Sequence, residues 1–253
     1  MEKKKTNGDS KRVPSGIEGF DEISGGGLQR NRSYLLSGPS GVGKTIFGLQ
    51  YLYNGIIENG ENGIFISTED RPDSVRENAL KFGWDFEGLE DEGKLAIIDA
   101  CSTKIGIPSH EKYVDVRPFD LRSMVDQIIA AHDAIDAKRA LIDSTTTIGF
   151  YLQDPAKIRI ELLKLANTLD VLGLTSILTC ELLEGAIGNS RFGVEQFITD
   201  GIIRLNSKRD GDAFYKDMSI IKMRGSQHSN NIHPFVITPK GIVVQVKQSE
   251  NLE

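Results

Sequence analysis

Gly38-Pro39-Ser40-Gly41-Val42-Gly43-Lys44-Thr45 is the stretch whose residue types and spacing specify chemistry. It fits G-x-x-x-x-G-K-[ST], the phosphate-binding loop of nucleotide triphosphatases. Its glycines let the backbone wrap an anion with N–H groups pointing inward. Lys44 puts a compact positive charge on the outer phosphates. Thr45 offers a hydroxyl to Mg2+ and opens a helix whose positive end faces those phosphates. The candidate nucleotide contacts here are Ser40, Gly41, Val42, Gly43, Lys44, Thr45 and Ile46.

Such a site needs two acidic functions beside the loop, one to support Mg2+ and one to orient the attacking water. Asp143 ends the apolar run Arg139 to Asp143 and takes the metal role with Thr45. Glu69 follows the apolar run Gly63 to Thr68, in a strand expected beside the loop strand, and takes the role of general base. Asp70 stands next to it. An alternative for Asp70 is capping of the helix that Arg71-Pro72 begins. Glu181, after Thr175 to Cys180, is a further acid for the site.

These groups need a scaffold, and the pattern supplies one. Ser33 to Ser37 reads as the strand before the loop, and Ile46 to Leu52 begins the helix after it, which stops near Asn59-Gly60. Gly63 to Thr68, Leu95 to Asp99, Arg139 to Asp143 and Thr175 to Cys180 are short apolar runs, the mark of strands buried on both faces. Helices are expected from Pro72 to about Phe82, from Phe119 to about Asp136 and from Pro155 to about Leu169. Residues 102–118, with Pro108 and Pro118, read as loop. Alternation of this kind gives right-handed crossovers and a mainly parallel sheet flanked by helices. After Phe197 no helix is expected. Gly201 to Leu205, Met218 to Met223, Phe235 to Thr238 and Gly241 to Val244 read as antiparallel strands, with a hairpin turn at Asp210-Gly211.

The chain has 253 residues and a net charge of −6, which argues against a nucleic-acid or anionic-membrane partner. Cys101 and Cys180 have neither metal-ligand nor disulfide-framework spacing, so they are expected to be reduced core residues of a cytoplasmic protein. No apolar run is long enough to span a membrane. Lys3-Lys4-Lys5 has no apolar segment after it and reads as part of a solvated tail. The expected organisation is a tail over 1–12, one domain over 13–247 and a second tail over 248–253.

Beyond the loop, distinctive segments recur in order: Ile17 to Ile23, Glu69-Asp70, Phe82-Gly83-Trp84-Asp85, Glu92 to Leu95, Ile142-Asp143-Ser144, Arg191 to Glu195, and Lys222 to His228. On these the chain resembles the KaiC family of RecA-fold ATPases from Pro14 to about Val244. The resemblance implies a RecA-like P-loop core with C-terminal antiparallel strands, hexameric rings, and ATP with Mg2+ at subunit interfaces. It implies that Lys222 and Arg224 reach a neighbour's γ-phosphate, with Met223, Ser226 and His228 lining that nucleotide. Lys222 and Arg224 are two apart on a strand and so share one face, with Met223 on the other. KaiC clock proteins carry two such units and this sequence carries one. The family's second acid is usually glutamate, whereas Asp70 is one methylene shorter. The second KaiC unit phosphorylates itself on a Ser-Thr pair that aligns with Gln196 and Phe197, which cannot accept phosphate. Ser190 and Thr199 are not excluded in that role.

Three functions follow as expectations. The first is a ring-forming ATPase acting as a nucleotide-dependent switch or signalling hub for an unidentified protein partner. The second is a RecA or RadA-like DNA-threading ATPase. That needs loops with basic and aromatic residues, and only Arg191 and Phe192 stand in place, beside Glu181, Glu184 and Glu195. The third is a non-catalytic scaffold glued by ATP.

Overall fold

The computed structural model describes residues 11–117, 121–183 and 188–246. Lys3-Lys4-Lys5, Pro118, Phe119, Glu184 and the 248–253 tail lie outside them. Arg12 belongs to the folded part, not to a tail. Strand β1 (Arg12–Val13) pairs antiparallel with β2 (Leu28–Gln29), and Arg12 donates to the Ser24 and Gly27 carbonyls. The one-turn helix α1 (Phe20–Ile23) lies between them.

The domain is built on one sheet. In chain order its strands are β3 (Ser33–Gly38), β4 (Gly63–Ser67), β5 (Leu95–Asp99), β6 (Tyr113–Val114), β7 (Arg139–Asp143), β8 (Thr175–Glu181), β9 (Gly201–Asp210), β10 (Ala213–Met223), β11 (His233–Thr238) and β12 (Gly241–Val244). Their order across the sheet is β12-β11-β10-β9-β3-β8-β7-β4-β5-β6. From β9 to β6 all neighbours are parallel; β9 to β12 are joined by antiparallel hairpins. The mainly parallel core with an antiparallel C-terminal extension is as the sequence pattern requires. The Asp210-Gly211 turn is also in place, since Asp210 pairs with Ala213.

The strand carrying Glu69 is not beside the loop strand. β8 and β7 stand between β3 and β4. Apolar pattern reveals that a strand is buried, but not which strand is its neighbour. Residues 102–118 also hold more than loop: a 3-10 turn over Ser102–Ile105 and the edge strand β6. Neither is long enough to show a period.

Helices cover both faces. α2 (Lys44–Asn59), α3 (Pro72–Leu80) and α4 (Phe86–Asp91) pack with Tyr34, Leu36, Phe65, Ile97, Leu141 and Ile177. α5 (Leu121–Ile135), α6 (Thr145–Leu152), α7 (Pro155–Val171) and α8 (Glu195–Ile198) pack with Leu35, Ile64, Ile66, Ile98, Ile142 and Leu178. Alternate residues of each strand therefore feed opposite cores. α4 and α6 were not expected; α6 starts from the polar run Ser144 to Thr147, which resembles a loop. After Ile198 no helix occurs among the described residues.

Among the buried charged residues, one joins segments far apart in the chain. Arg139 is fully buried at the start of β7. It pairs with Glu61 at 2.8 Å, donates to the Tyr51 and Pro14 carbonyls and lies over the Tyr51 ring. Each guanidinium nitrogen donates one of these bonds, and the charge is paired, so its burial is tolerable. It ties β7 and α2 to the N-terminal segment.

Candidate active site at the carboxyl ends of the parallel strands

β3 delivers the loop at its carboxyl end, where ligands collect in open α/β sheets. Gly41 and Gly43 adopt φ of +70° and +117°, which only glycine enters without strain. A side chain at Gly41 would meet nothing, so the cradle is open above it. Underneath, the C-terminal hairpins brace the loop: a Cβ at Gly43 would crowd Ile237 of β11 at 3.1 Å. α2 begins at Lys44 with its N–H groups toward the cleft.

The cleft, about 640 Å3 out to its open mouth, is lined by Ser40, Gly41, Gly43, Lys44, Thr45, Ile46, Glu69, Asp143, Ser144 and Glu181. Val42 is instead buried in the core below, so it offers backbone only. Lys44 Nζ folds back on the Gly38 and Pro39 carbonyls at 3.0 and 2.9 Å. Burial lowers its pKa, opposed by Asp143, Glu181 and Glu69.

Thr45 Oγ1 donates to Asp143 Oδ2 at 2.6 Å, and Thr179 Oγ1 donates to Oδ1 at 2.5 Å. Burial pushes the Asp143 carboxyl up, against those two hydroxyls, which favour its anion. A buried carboxylate beside a threonine hydroxyl, opening on a cleft, suits an octahedral Mg2+ that keeps waters and phosphate oxygens as its other ligands. Among the described residues no cluster of three or more acidic, His or Cys side chains could hold a metal. Such an ion would therefore need phosphate to complete its shell.

Glu69 lies beyond the end of β4 and is exposed to the cleft. Its Oε1 accepts from Ser144 Oγ and, at 2.9 Å, from Thr147 Oγ1. Behind it, Cys101 Sγ donates to its backbone carbonyl at 3.0 Å. Asp70 is exposed, does not line the cleft, and does not cap α3: the cap position is Arg71, with no side-chain hydrogen bond. Glu181 does line it, at the end of β8.

Ser144 and Thr147 donate to Glu69 and Thr179 to Asp143, and sequence reasoning gave none of the three a role. The polar run Ser144-Thr145-Thr146-Thr147 directly after a strand-end aspartate was the available signal.

Lys222, Met223, Arg224, Ser226 and His228 lie at the opposite end of the sheet. Lys222 pairs with Ile202, which pairs with Leu35 near the start of β3. Lys222 Nζ donates to the Gln196 and Thr199 carbonyls at 3.0 and 2.6 Å. Arg224 is exposed, 3.8 Å from Asp200. Met223 is buried on the other face, as the alternation requires. Ser226 Oγ donates to the Gln227 carbonyl, and His228 is half-buried beside the Ser229 carbonyl. Arg191 is stacked over Phe150, whose ring meets Phe192 edge-on.

A family model described as the KaiC ATPase matches residues 13–249. The chain belongs to the KaiC ATPase family. It is 41% identical over 226 residues to the circadian clock oscillator protein KaiC of Synechococcus elongatus, covering 89% of this chain and 42% of that protein. The chain thus spans less than half the length of the clock proteins it matches. A single-unit relative fits end to end: UPF0273 protein MJ1359 of Methanocaldococcus jannaschii is 42% identical over 235 residues, covering 92% of this chain and 96% of that one. Among solved structures, the KaiC-like protein PH0186 of Pyrococcus horikoshii superposes with a TM-score of 0.80 at 39% identity, covering 93% of this chain and 99% of that one. The fold and the loop therefore belong to a KaiC-type nucleotide-binding ATPase domain. No helix among the described residues is long and apolar enough to cross a membrane.

Proposed function

We propose that this protein is a Mg2+-dependent ATPase whose subunits assemble head to tail into a closed ring, hexameric by family likeness. ATP would sit between each loop and the next subunit's Lys222 and Arg224. The observation that carries this reading is the separation of the two groups to opposite ends of one sheet. A group that cannot serve its own loop can serve a neighbour's in a heterologous interface, and such interfaces form rings where the rotation between subunits closes.

In this reading Lys44 exchanges the Gly38 and Pro39 carbonyls for phosphate oxygens. Glu69, aimed by Ser144 and Thr147, orients a water in line with the γ-phosphate. Thr45 and Asp143 would hold Mg2+, which supplies charge neutralisation at the phosphates. Lys222 and Arg224 of the adjacent subunit, with Met223, Ser226 and His228 around the nucleotide, would balance charge in the transition state. Asp70 has no defined part beyond its place next to Glu69. The cycle would change contacts with a protein partner, acting as a switch. A clock output does not follow from the fold.

Phosphate release from Mg-ATP, wild type beside Glu69→Gln, tests this. The variant should still bind nucleotide and lose about 10²–10⁴-fold in rate. A wild type that binds ATP without turnover would instead make the protein an ATP-dependent scaffold.

A further inference from the structure

Lys216 lies in β10 on the side of the sheet end that carries the phosphate loop. Its Nζ donates to two carbonyl oxygens of that loop in its own chain, Gly41 at 2.8 Å and Val42 at 3.1 Å. The side chain is half-buried there, and burial lowers its pKa. Neither the loop motif nor the acids of the cleft include it.

Peptide geometry gives these contacts a consequence. A trans peptide is planar, so its N–H points away from its C=O. Turning the Gly41 carbonyl out toward Lys216 turns the Val42 N–H the other way. Holding the Val42 carbonyl does the same for the Gly43 N–H. These are loop amides of the kind that face an anion in such cradles.

The loop needs an external hold at this point. Gly41 and Gly43 flank the two peptide units at φ of +70° and +117°. Glycine passes between positive and negative φ at little cost, so nothing in the loop's own covalent structure prevents rotation of these units. Val42 anchors only its side chain, in the core. Two hydrogen bonds from one ammonium fix both carbonyls, and charge-assisted bonds are about twice as strong as neutral ones.

We propose that Lys216 is a positioning residue for the phosphate cradle. It locks the peptide units 41–42 and 42–43 with their N–H groups toward the anion, so that β10 sets phosphate affinity. This rests on the nucleotide-site reading of the loop but not on ring formation or hydrolysis.

The test is ADP and ATP affinity, by calorimetry on the full chain, for wild type, Lys216→Met, Lys216→Gln, Lys216→Arg and Lys44→Ala. Losing one charge-assisted bond's advantage corresponds to about tenfold in Kd. Lys216→Met should weaken both nucleotides by about that factor, with Lys216→Arg restoring most of it and Lys216→Gln, which keeps a donor, lying between. Steady-state turnover should show a raised KM with kcat little changed, because the bound loop reaches the same geometry. The unfolding midpoint without nucleotide should fall by only a few degrees, as expected for the loss of two hydrogen bonds at a half-buried side chain.

Affinity within about twofold of wild type in Lys216→Met would overturn the proposal. So would a loss that disappears in about 0.5 M salt, since that would be a screened field effect rather than orientation. If Lys216→Met does not fold, the Arg and Gln variants are read against wild type on the same scale. Wild type that fails to bind ADP would sink the nucleotide-site reading and the role of Lys216 with it. Binding that Lys44→Ala abolishes and Lys216→Met leaves intact would overturn the role of Lys216 alone.

Discussion

Mixing two inactive variants gives the most demanding test of a site completed by a neighbour. Lys222 pairs through Ile202 with Leu35, three positions before Gly38. At ~3.3 Å per residue it stands about 10 Å short of its own loop's first residue. Its Nζ is also turned onto the Gln196 and Thr199 carbonyls. On the proposed function, Lys222→Ala should spoil a neighbour's site, whereas Glu69→Gln should spoil its own. In a randomly mixed ring, a working interface needs an intact Glu69 from one subunit and an intact Lys222 from the next. At mole fraction p that probability is p(1−p), which peaks at about a quarter for equal amounts, whatever the ring size. The assay is phosphate release across mixing ratios, with the variants combined before Mg-ATP is added. A curve peaking near equal amounts at about a quarter of the wild-type rate supports the shared site. Each variant alone should sit near background. No rescue at any ratio, despite mixed assemblies on a sizing column, would refute the reasoning.

Other perturbations separate the loop's electrostatics from its scaffold. Asp143→Asn keeps the shape between Thr45 and Thr179 but removes a charge whose burial is unfavourable. Nucleotide-free protein should therefore melt higher, while the gain in ATP affinity on adding Mg2+, measured against EDTA, should vanish. Asp99 ends β5 under the Glu69 segment. Although its burial acts to raise the pKa, hydrogen bonds from the Ser102 and Cys101 N–H groups and the Ser109 hydroxyl outweigh that and hold it low. Asp99→Ala orphans buried donors and should cost about 1–3 kcal/mol in urea unfolding at pH 7. A carboxyl with a lowered folded pKa stabilises above its unfolded value and loses that contribution as pH falls through the folded one. The deficit of Asp99→Ala should therefore shrink below about pH 4, and a pH-independent deficit would contradict this assignment.

Local chemistry was legible because it is written in adjacent residues. The loop's signature is glycine at Gly41 and Gly43 for positive φ and a lysine next to a hydroxyl, all within one short stretch. The apolar runs of β3, β4, β5, β7 and β8 were legible because burial on both faces demands them. α6 was hidden: its first turn is a polar run whose hydroxyls serve Glu69, the Thr179 carbonyl and the Glu181 backbone. Those hydrogen bonds, rather than an apolar period, occupy the turn's side chains.

Readable from the sequence alone were the phosphate loop, its flanking strand and helix, and a parallel sheet extended by C-terminal hairpins; Glu69 and Asp143, singled out there as acids for the site, both line the cleft. The order of the strands appears only in the folded chain. Periodicity reports which faces are buried, but pairing is fixed by packing between residues far apart in the chain. That order puts β8 and β7 between the loop and the Glu69 strand, and brings Ser144 and Thr147 onto Glu69. It also sets Lys216 of β10 beneath the loop while leaving Lys222 at the far end of the same strand. An alternating pattern looks the same from either end of a strand, so only the folded register could tell those two lysines apart.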